Sequence, residues 1–255
     1  MRVLVTNDDG IRADGIKHLI EYLAEKCTEV FVVAPEYEKS ATSHSLTLHN
    51  PLRLKSYDFK RDNVKAFSCD GNPADCIKIA MDVVLEEKPD IIISGINKGP
   101  NLGNDVMYSG TVAGATEAIY YDVPSIAISM DGRNHYKYET GVAGLDKVIS
   151  NLDKFLIEKN EILNVNVPNV SIDEIKGYKL TTLGRRVYEN VYEKRIDTMG
   201  KEYYWLGGTP KSIENDTHTD VVAIKDNYIT ITPIKVDYTD YGKYEQYLDL
   251  SIEIE

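Results

Sequence analysis

Two adjacent carboxylates, Asp8 and Asp9, stand in the stretch VTNDDG at residues 5–10 and are the first groups in the chain whose chemistry needs a reason. They follow a short apolar run, Val3–Val5, that reads as a buried strand. Side chains alternate across a strand, so neighbouring acids can converge only where the strand stops, and Gly10 lets the chain turn there. Two like charges side by side resist joint ionisation. A hard divalent cation removes the conflict, because carboxylate oxygens are what Mg2+, Mn2+ or Ca2+ prefer. The plainer alternative is that one acid caps a helix starting near Asp14, a role Asp commonly takes. A second acid and Asn7 exceed what a cap needs.

A second stretch, SGINKGPNLGNDVMYSGTVAGATEA at residues 94–118, starts where another apolar strand ends. Gly95, Gly99 and Gly103 make a close-approach loop, with Asn97, Lys98, Asn101 and Asn104 as its polar lining. Ser109, Gly110 and Thr111 then open a helix of small residues. A helix start offers free amides and a positive dipole end, which suit a phosphate. A simple Ser cap on a tightly packed helix is the other reading.

The third stretch, PEYEKSATSHSLTLHNPLRL, crowds Ser40, Thr42, Ser43, His44 and Ser45 into one loop after the second strand. A Ser40 hydroxyl is an acceptable neutral oxygen ligand, His44 could move a proton, and Ser43 and Lys98 could touch substrate. A plain polar surface loop is the competing reading. His18, His49, His135 and His218 have no ligand-like spacing. GNPADC at residues 71–76 reads as structure, with Asn72 as cap, Pro73 in the first helical turn and Asp75 at the positive helix end.

These loops need a scaffold. Ile16, Leu19, Ile20 and Leu23 make a helical stripe; EVFVVAP, PDIIISG and PSIAIS read as strands buried on both faces. Leu145, Val148, Ile149, Leu152 and Phe155 predict one further amphipathic helix. The β-α-β-α order predicts an α/β fold, a Rossmann-like, mostly parallel sheet with helices on both faces. Ligands bind beyond the carboxyl ends of such strands, where Asp8 and Asn97 both fall. Residues 1–255 read as a single domain carrying a Tyr-rich β-hairpin excursion at about 177–216, either an arm for another subunit or a hairpin folded on its own domain. NYITITPI is a late strand, followed by an acidic C-terminal extension from about residue 234 to 255.

Composition narrows the partners. The 255 residues carry a net charge of -12, which disfavours a nucleic acid polymer. No stretch approaches the roughly 20 apolar residues of a membrane helix, and the chain opens on a strand pattern, not a secretory signal. Cys27, Cys69 and Cys76 lack CxxC spacing, so buried thiols in a reduced cytoplasm are expected. The G-x-G-x-x-G and P-loop fingerprints are absent, as is the D-x-D-x-T arrangement of aspartyl-phosphate phosphatases.

VTNDDGIRADGI, APEYEKSATSHSLTL, GNPADC and SGINKGPNLGNDVMYSGTVAGATEA together resemble the signature blocks of the survival protein SurE family. LTTLGRRVYENVYEKRIDTMGKEYYWLGG and TDVVAIKDNYITITPI are similar to its later blocks, so the match runs over roughly residues 1–234 in order. The resemblance implies a divalent-metal-dependent phosphatase of nucleoside 5′- and 3′-monophosphates, in some members also of short polyphosphate. It implies a dimer or tetramer with an exchanged C-terminal element. It carries the metal ligands onto Asp8, Asp9, Ser40 and Asn97, with one Mg2+ or Mn2+ per subunit, and phosphate binding onto Asn97, Ser109, Gly110 and Thr111. Asn227 departs from a usual Gly-Tyr pair and Ala118 from a frequent Gly. Whether Asp8 or Asp9 attacks the phosphorus or orients a metal-bound water is open; water is preferred because both acids are engaged by the ion. A non-catalytic metal-nucleotide sensor and a sugar-nucleotide transferase are the alternatives.

Overall fold

The computed structural model describes residues 1–155, 157, 160–189, 191–212 and 216–248. In chain order it contains β1 (Arg2–Thr6), α1 (Asp14–Lys26), β2 (Glu29–Pro35), β3 (Leu54–Tyr57), β4 (Val64–Cys69), α2 (Pro73–Ile79), β5 (Ile91–Lys98) and α3 (Gly110–Glu117). There follow β6 (Ser125–Asp131), α4 (Tyr138–Ile149), α5 (Leu152–Phe155), β7 (Glu161–Pro168), β8 (Gly177–Leu180), β9 (Arg186–Glu189), β10 (Tyr192–Ile196), β11 (Glu202–Leu206) and β12 (Thr209–Ser212). The described chain ends through α6 (Asp220–Ala223), β13 (Tyr228–Lys235) and α7 (Tyr241–Tyr247).

Among the described residues nine strands form one sheet in the order β3-β4-β2-β1-β5-β6-β7-β13-β8. The six from β4 to β7 run parallel, β3 and β13 are antiparallel to their neighbours, and β8 is parallel to β13. Alternation along β1 shows why both faces need helices. Val3 and Val5 pack with Ile16, Leu19 and Leu23 of α1 and Leu145 of α4. Leu4, between them, packs on the opposite face with Cys76 and Ile77 of α2. This is the expected α/β architecture.

From β1 the chain adds β2 on one side and later β5 on the other. The loops leaving β1 and β5 therefore part to opposite faces, opening a crevice at their carboxyl ends. In register, Thr6 of β1 faces Ser94 of β5, so Asp8 and Asn97 both lie just past that last paired rung. A register shift between Ser94 and Asn97 bends β5 there. Gly95 makes the bend feasible: its φ is +144°, and a Cβ would collide with the Ile128 carbonyl of β6.

Several details differ from expectation. The stripe from Leu145 to Phe155 is split into α4 and α5 at Ser150 and Asn151. The hydrophobic pattern does not reveal β3 or β7; β7 is an interior strand of the sheet whose Asn164 and Asn166 disguise it as polar. Gly177–Leu180 belongs to the main sheet, so the excursion proper runs from β9 to β12. It consists of the pairs β9/β12 and β10/β11. In the C-terminal extension, residues 234–248 complete β13 and form α7, whereas 249–255 lie outside the described residues. Cys27, Cys69 and Cys76 are buried free thiols, and no described helix is long and apolar enough to cross a membrane.

Candidate metal and phosphate site

Asp8 and Asp9 leave β1 side by side, and three other segments close on them. Lys39 donates its backbone N–H to the Asp8 carbonyl at 2.7 Å, which brings the Ser40 loop in. Lys98 donates its backbone N–H to Asp9 Oδ2 at 2.9 Å, tying down the end of β5. The Thr111 hydroxyl donates to Asp8 Oδ1 at 2.6 Å, bringing in the start of α3. Gly110 permits that last approach: a Cβ there would lie 2.8 Å from Asp8 Cβ and 3.0 Å from Asp8 Oδ2.

Neither acid caps α1, whose N-cap is Ala13 without a side-chain bond. Both are buried at the side chain. Burial pushes the Asp8 carboxyl up to about 6, with the Thr111 hydroxyl pulling it down and the Asp9 charge raising it. Asp9 is also raised by burial, against the Lys98 amide and ammonium, which lower it. The only described cation beside the pair is Lys98, whose Nζ lies 3.5 Å from Asp9 Oδ1 and donates to Glu38 Oε2 at 2.7 Å. Glu38 is the larger influence, holding the ammonium above its ordinary range.

The remaining expected residues divide. Asn97 stands at the crevice with its Nδ2 on the Gly99 carbonyl at 2.8 Å, leaving its Oδ1 as an acceptor. Ser109 is the N-cap of α3, its Oγ accepting from the Val112 N–H at 3.0 Å. The cap reading thus holds for Ser109, whose hydroxyl hydrogen is free to donate. Ser40 is exposed and donates to Glu38 Oε1 at 2.7 Å, rather than to either acid. Ser43 fastens its loop to the segment before α3, through its N–H to the Tyr108 carbonyl at 3.0 Å and its Oγ to the Met107 carbonyl at 2.7 Å. His44 is not at the acid pair. Its Nε2 is 2.7 Å from Glu117 Oε2, seven residues along α3 from Gly110, about 10 Å at helical rise. Lys78 also reaches Glu117, at 3.3 Å.

Asn101 and Asn104, expected to line the loop, anchor it instead. Asn101 is buried and donates to Ser129 Oγ at 2.8 Å. Its backbone is held by Asn164 and Asn166 of β7 at 2.8–3.0 Å. Asn104 accepts the Arg186 N–H at 2.7 Å. No motif in the sequence marks Asp220. Fully buried, it accepts the N–H groups of Gly103, Gly184 and Val221 at 2.7–2.9 Å. Its place in TDVVAIKD resembles an ordinary helix start, and only the fold shows what it holds. Asp75 behaves as expected at the start of α2, and also holds the Thr47 N–H and hydroxyl.

Among the described residues no three His, Cys, Asp or Glu side chains gather on one point. A cation here would take two carboxylates and complete its shell with neutral oxygens, an all-oxygen set suited to a hard ion. The residues fit such an ion: two buried carboxylates face one shared lysine and the positive end of α3.

The family model described as Survival protein SurE matches residues 3–190. A 5′-nucleotidase SurE of Caldanaerobacter subterraneus subsp. tengcongensis is 44% identical over 252 residues, covering 99% of this chain and 98% of that protein. The 5′-nucleotidase SurE of Alkaliphilus metalliredigens is 46% identical over 254 residues, covering 99% and 100%. The crystal structure of the SurE protein from Aquifex aeolicus superposes with a TM-score of 0.84 at 38% identity, over 98% of this chain and 100% of that one. With its strand-end acid pair, its glycine-rich loop and this similarity along nearly its whole length, the chain belongs to the survival protein SurE family.

Proposed function

We propose that this chain hydrolyses nucleoside 5′-monophosphates to nucleoside and phosphate in the crevice between β1 and β5, with one Mg2+ or Mn2+ per subunit. The observation that carries this reading is the buried Asp8–Asp9 pair set against the start of α3. A phosphate dianion entering beside two carboxylates needs more positive charge than one lysine already shared with Glu38. The names of the relatives, at 44–46% identity over nearly the whole chain, support the substrate class.

Asp8, Asp9 and the Asn97 amide oxygen would hold the ion, with Ser40 joining once its hydroxyl turns from Glu38. When bound, the ion supplies the charge that a transferring phosphoryl group requires. Asn97, the Gly110 amide and the Ser109 hydroxyl orient the phosphoryl group. Thr111 keeps Asp8 aimed into the crevice by its hydrogen bond. Both carboxylates serve as ligands, so water is the attacking group, and trapping an aspartyl-phosphate would contradict this. These groups would hold a terminal phosphoryl group and make no demand on which ester oxygen carries it, so 3′-monophosphates and short polyphosphate fall within the reading. The exposed β10–β11 hairpin, with Tyr204, Trp205 and Leu206, is the surface we assign to a second subunit, as a dimer or tetramer requires.

Phosphate release from AMP tests the reading. Mn2+ should support turnover, EDTA should abolish it, and fresh Mn2+ should restore it. AMP binding without phosphate release would favour a sensor. Turnover of nucleotide-diphosphate sugars with little of AMP would favour a transferase.

A further inference from the structure

The segment from Leu102 to Ser109 is held at nearly every residue. Leu102, Gly103, Val106 and Ser109 are buried. Asp220 holds Gly103, and Asp105 accepts from Arg186 Nη1 at 2.7 Å and from the Tyr188 hydroxyl. The Met107 and Tyr108 carbonyls are fixed by Ser43. Yet the Met107 and Tyr108 side chains are 56% and 65% exposed. Two large, solvent-facing side chains thus stand on a rigid stub, immediately before the residue that caps α3. Among the described residues, most of their surface is left uncovered.

Resting on the nucleotidase reading above, we infer that the Tyr108 ring, with Met107 beside it, is the platform on which the nucleobase of the substrate stacks. A nucleoside monophosphate whose phosphate lies at the start of α3 must direct its base out of the crevice, toward the rim. Every base presents a π-face, and an aromatic ring binds it without demanding a particular sequence of donors and acceptors. The chain's net charge of -12 makes a π-surface a better handle than a charged one for a substrate that is itself anionic. Other exposed rings are placed less well. Tyr120 lies beyond the far end of α3, beside His44. Tyr37 stands on the loop after β2, where its backbone packs on Gly10 beside the end of β1 and not on the helix start that would hold the phosphate. A stacked ring tolerates any base, so Tyr108 selects for nucleotides over plain sugar phosphates rather than among nucleotides.

The test compares AMP with ribose 5-phosphate, which keeps the sugar and the phosphate but lacks the base, in Mn2+ with the full chain. Tyr108→Ala should lower kcat/KM for AMP by roughly 5- to 150-fold, the range that loss of one base–aromatic stack gives. The loss should fall mainly in KM, with ribose 5-phosphate turnover changed less than about twofold and Tyr108→Phe close to the parent enzyme on both. Equal losses on the two substrates would overturn the inference and make Tyr108 a structural or subunit-contact residue. So would an unchanged preference for AMP, or a base-selective loss on Tyr37→Ala instead. If the parent enzyme hydrolyses ribose 5-phosphate but no nucleotide, the nucleotidase reading itself fails.

Discussion

Asp9→Asn should lower kcat/KM for AMP in Mn2+ by at least about 100-fold. Outer partners of a metal ligand cost about 10- to 100-fold when removed, and a ligand should exceed that range. The fold should survive, because an asparagine Oδ1 still accepts the Lys98 N–H that Asp9 Oδ2 accepts at 2.9 Å. Phosphate-release kinetics and a circular-dichroism melt on the same sample separate the two effects. Asp8→Asn should be equally inactive, and its stability adds a pH signature. Burial raises Asp8 from 3.8 to about 6, so the folded chain binds this proton more tightly than the unfolded chain does. The stabilisation this confers is complete below the unfolded value and is lost as pH rises through about 6. The metal-free Asp8→Asn protein has no such titration. Its Tm in EDTA, relative to the parent, should therefore climb as pH is raised through that window. A relative Tm that stays flat or falls would show that Asp8 is not a strained buried acid. Inactive yet more stable is the expected pattern for a group placed for chemistry.

Asp220→Ala should be the most damaging change away from the acid pair. It strands three buried backbone donors, those of Gly103, Gly184 and Val221. Each unpaired buried donor costs about 1–3 kcal/mol, so a loss of at least about 3 kcal/mol is expected. For a chain of this size that lowers Tm by about 6 °C or more. The loop from Asn101 to Tyr108 should become sensitive to proteolysis, and activity should fall with it, because this loop leads directly into the helix start at Asp8. Asp220→Asn, which keeps one acceptor oxygen, should recover part of both. A melting temperature within 1 °C of the parent on Asp220→Ala would show that the loop does not depend on this carboxylate.

Much of the frame was legible from hydrophobic pattern alone. β1, β2, β5 and β6 are continuous apolar runs, and the α1 stripe matches the helix packed on Val3 and Val5. The acid pair stood out because two carboxylates beside Asn7 exceed what one helix cap needs, and α1 is indeed capped without them. What escaped depends on contacts distant in sequence. Asn164 and Asn166 look solvent-facing in EILNVNVP, yet both are fully buried, because the backbone of Asn101, more than 60 residues away, is their partner. His44 lies in a crowded polar loop that gives no hint of Glu117, 73 residues on. Asn227 illustrates the reverse: as a departure from glycine it should tolerate a left-handed turn, and it has a φ of +61°.

Manganese-edge anomalous diffraction from crystals grown in MnCl2 tests the central claim most directly. One peak per subunit is expected within about 2.0–2.4 Å of oxygens from both Asp8 and Asp9, facing the Ser109–Thr111 helix start. Crystals in which the pair binds no manganese, with the Lys98 ammonium still on Asp9 as the only counter-charge, would contradict it.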